Sequence, residues 1–177
     1  PNTRNNARLM ENLRLNRIDN VQVRKMGVGS KPEVATMVVS PLMLGGASIE
    51  TDVVASYEFQ LPVVSEQISV IALDDDIAEN SLPAPGFVKI DVEGGELAVL
   101  QGARKTLEAH KPQLFLEMHG ETMNLKLKKI AAIVAFLEEL GYNEILHVES
   151  GTKVQSSNSS VAAEAIYTVL RDNSVLN

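Results

Sequence analysis

The chain has no cysteine, which removes disulfides and thiolate metal sites from the chemistry open to it. Positive charge is also scarce. Sixteen Lys and Arg against 23 Asp and Glu leave a net charge of -7 and a pI near 5.0. That balance argues against a nucleic-acid backbone or an anionic membrane as the main partner, since both need clustered positive charge. No apolar run approaches the ~20 residues of a membrane span, so no integral membrane segment is expected. The opening Pro1-Asn2-Thr3-Arg4-Asn5-Asn6 also lacks a signal-peptide core. With 177 residues, 45% of them hydrophobic, the chain can bury a full core. It contains no internal repeat or splitting linker, so the expectation is one cytoplasmic domain over residues 1–177.

What is present is concentrated in Lys89-Ile90-Asp91-Val92-Glu93-Gly94-Gly95-Glu96. Phe87, Val88, Ile90 and Val92 form a short apolar, β-branched run after the breakers Pro83, Pro85 and Gly86, as in a strand covered on both faces. Two glycines then open a helical pattern. Leu97, Leu100, Ala103 and Leu107 recur at spacings of three and four, Glu96 stands in the first turn where the helix dipole favours an anion, and Pro112 ends the run. Gln113 to Leu116 reads as a second strand, with Glu117 and His119 beyond it.

Strand, helix, strand is a βαβ unit, whose two strands must be parallel and whose ends therefore meet. Ligands of open α/β sheets bind outside the carboxyl ends of the strands, and neighbouring strands lie ~5 Å apart. Asp91, Glu93, Glu117 and His119 should thus share one cleft. The plainer alternative is that Glu93 and Glu96 only cap the helix while Glu117 and His119 are solvated.

Elsewhere the pattern predicts a helix over residues 3–15 with Asn2 or Thr3 as N-cap and Ala7, Met10 and Leu13 on one face. A strand follows at Val21 to Val28, and another is expected at Thr36 to Val39. Gly27-Val28-Gly29 is either a turn or a weak nucleotide-loop signal. Residues 40–65 read as an irregular stretch, either substrate-facing or a plain surface excursion. Val70 to Leu73 is a short strand, leading into a helical turn at Ile77 to Asn80. Asp74, Asp75 and Asp76 between them suggest either cation binding or a solvated cap. The best helix runs from Asn124 to Leu140 with Gly141 as its left-handed cap. Tyr142 to Val148 and Ala165 to Arg171 are strands around a flexible loop at Glu149 to Ser160, joined without a helix and so antiparallel. His110 and His147 look structural.

The stretch Phe87 to Gly120, FVKIDVEGGELAVLQGARKTLEAHKPQLFLEMHG, resembles the signature of the FkbM-type methyltransferases. Ile71 to Asp75 and Asn16 to Val28 echo other segments of that family. The resemblance implies S-adenosylmethionine as cofactor and an α/β fold: a Rossmann-like three-layer class I methyltransferase sheet, mostly parallel with an antiparallel last strand. It implies an O-methyltransferase acting on a hydroxyl of a sugar, glycolipid or secondary metabolite, hence a small-molecule or glycan acceptor as partner. Two family features are not found, a glycine-rich cofactor loop and an acidic ribose-binding strand end. The expectation is a truncated domain lacking the first two strands and inactive by itself. Val21 to Val28 would then either close against Phe87 to Val92 or be displaced.

By resemblance, Pro1 and Asn2 follow the ribose-binding acid, and Met26, Gly27 and Val28 border the adenine. Methyl transfer to a hydroxyl needs a group that takes the proton and a frame that holds acceptor and donor in line. Asp91 is the first candidate for the acceptor side and His119 for the alternative base, because an imidazole titrates near neutrality. Glu93 is a candidate for orienting the loop or touching the cofactor. Magnesium held by Asp91 and Glu117 is a further possibility implied by the wider fold class. A non-catalytic Rossmann-like binding module and a magnesium-dependent α/β enzyme remain as alternatives.

Overall fold

In a computed structural model, residues 1–40, 47–49, 62–120 and 122–168 are described. The chain opens with helix α1 (Thr3–Leu15), started by the Asn2 side chain, which accepts from the Asn5 N–H at 2.8 Å. Strands β1 (Gly27–Val28), β2 (Glu33–Val39), β3 (Ala47–Ser48) and β4 (Val64–Ile71) form one sheet in the order β1-β4-β2-β3. Helix α2 (Leu73–Glu79) leads to β5 (Phe87–Ile90), and α3 (Glu96–Gly102) and α4 (Arg104–His110) lead to β6 (Gln113–Glu117). Helix α5 (Met123–Glu139), β7 (Ile145–His147), a 3₁₀ helix (Ser156–Ala162) and β8 (Ala165–Thr168) follow. The second sheet has the order β5-β6-β8-β7.

The expected mostly parallel single sheet is replaced by two mixed ones. Among the described residues only β1 with β4 and β5 with β6 pair in parallel; β2 with β3, β2 with β4, β6 with β8 and β7 with β8 are antiparallel. The antiparallel last strand does lie beside β6, between it and β7. The strand expected at Val21 to Val28 shrinks to Gly27–Val28 and neither closes against β5 nor stands alone. It pairs with β4, Gly27 opposite Val70 and Val28 opposite Ile71. Arg24, just upstream, is drawn away to the buried carboxylate of Asp76 on α2.

β4 starts earlier than the expected Val70 to Leu73 and stops at Ile71; its outer half, Ser65-Glu66-Gln67, is polar and gives no apolar signal in the sequence. It is a strand through its seven-residue antiparallel register with β2, and only Ile68 and Val70 bury side chains from it. Of the irregular stretch at residues 40–65, residues 41–46 and 50–61 lie outside the described residues. Ala47–Ser48 pairs with Val38 and Val39.

The helical pattern expected from Glu96 breaks at Ala103 into α3 and α4. The cause is Asp74. Its carboxylate accepts from the backbone N–H of Lys105 and Thr106 at 2.8 and 2.9 Å and from the Thr106 hydroxyl at 2.7 Å, capping a new helix start. Asp76 is occupied too, by Arg24 and by the Asn80 side chain at 2.9 Å. Neither aspartate is the solvated cap or the cation site that the sequence suggested.

The main core lies where α3, α4 and α5 cover the second sheet, with Leu100, Leu114, Val134, Leu137 and Ile166 fully buried. Each such side chain stabilises by about 1.5–3 kcal/mol relative to exposure. A smaller cluster, Met37, Ile68 and Val70, serves the first sheet. Gly141 takes φ +82°, and the N–H groups of Gly141 and Tyr142 satisfy the carbonyls of Glu138 and Leu137, as the cap after α5 requires. The apolar face expected for α1 points outward, with Met10 half exposed, and Asn6 is the buried residue of that helix. The loop expected at Glu149 to Ser160 becomes partly 3₁₀, held by Ser156 on Glu138 of α5.

Candidate active site

Asp91 follows β5 directly and Glu117 ends β6. The parallel register sets Ile90 opposite Leu116, so these two acids are the next cross-strand neighbours. Lys89 points to the same side as Asp91, two residues away, and its Nζ stands 2.6 Å from Asp91 Oδ2 and 3.1 Å from Glu117 Oε1. The two carboxylates hold the Lys89 ammonium above its ordinary pKa. All three side chains remain about half exposed to water.

Beyond Asp91 the chain turns at Gly94, with φ +99°, a left-handed geometry that disfavours any side chain. The Glu93 carbonyl accepts from the Ser48 hydroxyl at 2.6 Å, which ties the first sheet to this rim. Glu96, read from the sequence as a first-turn dipole anion, is 1% exposed. Its Oε1 accepts from the Gly94 N–H at 3.3 Å and lies 3.0 Å from His119 Nδ1. That bond to Glu96 is the main reason the His119 pKa is raised. Partial burial opposes it, and the charges of Glu93, Glu96 and Asp91 assist.

Lys89, Asp91, Glu117 and His119 open onto one cleft of about 830 Å³. Asp91, Glu93, Glu117 and His119 line it on the side of the second sheet. Pro1, Asn2, Met26, Gly27 and Val28 line it on the other, so the residues nominated from the sequence for catalysis and for cofactor contact all meet this cavity. Lys89 and Ser48 also reach it. Sequence reasoning passed over them because a lysine inside a strand and a serine in an irregular stretch carry no distinctive spacing. Glu96 was visible as a residue but not as the partner of His119. Asp91, Glu117 and His119 each bring one ligand atom within 4.8 Å of the others, the spacing of a cation site among the described residues. An anionic cluster on the wall of a roomy cleft can hold a proton, a cation or a hydroxyl-bearing ligand.

Residues 1–144 match the family model described as the Methyltransferase FkbM domain. The chain belongs to the FkbM methyltransferase family. An FkbM relative of known structure, the methyltransferase FkbM from Methylobacillus flagellatus KT, superposes with a TM-score of 0.56 at 23% sequence identity. That likeness covers 96% of this chain and carries the fold, an α/β arrangement of the FkbM methyltransferase kind. This FkbM chain spans 35% of the length of that relative. No curated protein is significantly similar to it.

Proposed function

We propose that this FkbM chain carries the acceptor side of an S-adenosylmethionine-dependent O-methyltransferase acting on a hydroxyl of a sugar, glycolipid or secondary metabolite. The observation that carries the reading is the group of Asp91, Glu117 and His119 at the carboxyl ends of two adjacent parallel strands, on the wall of the 830 Å³ cleft. That volume lies within the ~300–1,000 Å³ usual for small-molecule sites. When bound, the cofactor supplies a methyl carbon on a sulfonium sulfur, the C–S electron pair stays with sulfur, and the acceptor hydroxyl must give its proton to the protein. His119 takes that proton. Asp91 orients the acceptor, because its Oδ2 already accepts from the Lys89 ammonium and is the poorer base. Asn2, Met26, Gly27 and Val28 line the same cleft and would hold the adenosine end of the cofactor.

In this reading residues 1–177 are one domain, completed by a segment that brings the glycine-rich loop and the ribose acid, and inactive without it. The support is that β1 and β5, the outer strands of their sheets, both border the cleft. Magnesium fits the cluster poorly. It favours an all-oxygen octahedral shell, whereas one of the three donors is an imidazole and the two carboxylates already hold Lys89.

Calorimetric titration of the full-length protein tests the reading: heat with S-adenosylmethionine in the absence of magnesium is expected, and methyl transfer to a hydroxylated acceptor should be lost in Asp91→Asn. Binding of magnesium with no response to S-adenosylmethionine would overturn it in favour of a metal-dependent α/β enzyme.

A further inference from the structure

We infer that Glu96 is a positioning residue that fixes His119 in the tautomer protonated on Nδ1, so that Nε2 is the proton acceptor presented to the cleft. This rests on the methyl-transfer reading for its purpose, though not for its geometry.

Glu96 is 1% exposed, and a carboxylate buried to that degree is expensive unless it is paired. Two partners are built for it. The Gly94 N–H reaches Oε1 at 3.3 Å because Gly94 adopts φ +99°, and His119 Nδ1 lies 3.0 Å from the same oxygen. Oε1 already accepts from the Gly94 N–H, so it meets the ring as an acceptor, and the proton of the bond to Nδ1 is carried on Nδ1. In the neutral ring that leaves the lone pair on Nε2.

Every other charged group facing the imidazole is less suited to that task. Asp91 and Glu117 share the Lys89 ammonium, and Glu93 acts on the ring only through its charge. His119 is 26% exposed at its side chain and lines the cleft, so its second nitrogen can meet a ligand there. A purely structural Glu96 would not need an imidazole: the helix dipole and the Gly94 N–H already supply a site for a first-turn anion. What the imidazole gains is a defined tautomer and a ring orientation held by a buried, ordered partner.

The test is nitrogen-15 NMR of the chain labelled at histidine, recorded at alkaline pH where the imidazoles are neutral, with the His119 signals identified from His119→Gln. His119 should show a protonated Nδ1 and an unprotonated Nε2, and Glu96→Met, which removes the acceptor at similar length, should lose that signature. A wild-type His119 protonated on Nε2, or a tautomer unchanged in Glu96→Met, would overturn the inference. The wild-type measurement decides alone if the variant does not fold. Neither arm depends on methyl transfer, so a protein that shows the tautomer yet never binds S-adenosylmethionine would refute the proposed function and leave the Glu96–His119 couple standing.

Discussion

Replacing Gly102 by alanine sets two effects of opposite sign against each other. Gly102 is the last residue of α3 and its backbone is not in the left-handed region, so helix propensity alone predicts a gain of up to about 1 kcal/mol. The added Cβ, however, would stand 2.0 Å from the carbonyl oxygen of Gly29, 3.0 Å from its carbon and 3.3 Å from Ala72 Cα. All three are backbone atoms, and Gly29 cannot slip aside because its N–H is bonded to the Ile71 carbonyl at 3.0 Å. Relief therefore demands that α3 back away from the end of β1. Overpacking costs about 1–3 kcal/mol, and a 2.0 Å approach to a backbone oxygen belongs in the upper part of that range, about 2–3 kcal/mol, so a loss of roughly 1–2 kcal/mol remains after the propensity gain. For a chain of this size that lowers the melting temperature by about 2–8 °C. Thermal unfolding followed by circular dichroism measures it. Gly86→Ala is the control, since a Cβ there meets nothing within 4 Å, and it should be neutral or slightly stabilising. If Gly102→Ala melts at or above the wild-type temperature, the close approach of α3 to Gly29 is not a feature of the folded protein.

Asp74→Ala should remove the acceptor that starts α4 and destabilise by about 1–2 kcal/mol, with an urea midpoint shift as the readout; an unchanged midpoint would refute the capping role. The His119 pKa is raised, chiefly by Glu96 with help from Glu93 and Asp91. The stability it contributes is therefore fully present below the ordinary imidazole value of ~6.5 and is lost as pH rises through the raised one. Denaturation across that window should show a decline with rising pH that His119→Gln abolishes, and a decline that persists in the variant would assign it to another group.

Much of the second sheet was legible because periodicity and position agree there. The apolar run before Asp91, the i, i+3, i+4 spacing after Glu96 and the stripe ending at Gly141 each come from local physics that needs no partner. Where the pairing partner decides, the sequence was silent. Ser65-Glu66-Gln67 carries no strand signal of its own because its strand character lies in the register with β2. The break at Ala103 is invisible in an apolar spacing that runs straight through it, since its cause, Asp74, sits on another helix. Glu96 looked like a first-turn dipole anion or cap because nothing near it in sequence announces a histidine 23 residues later.

The site depends on the least common pairing in the molecule. Antiparallel neighbours place their carboxyl ends at opposite edges of a sheet, whereas parallel neighbours place them at the same edge. Among the described residues two pairs are parallel, and both border the cleft. The β5–β6 pair brings Asp91 and Glu117 side by side, and His119, two residues further, within reach of both. The β1–β4 pair performs the corresponding service for the opposite wall. It carries Gly29 off the end of β1 and Ala72 off the end of β4 at one level, where both meet Gly102 of α3. The helix that starts with the buried Glu96 thus ends on the backbone of the other sheet. Its position is fixed at both ends, and the carboxylate beneath His119 inherits that rigidity. The antiparallel strands contribute area and core to this arrangement, and the chemistry stands where the chain departs from them.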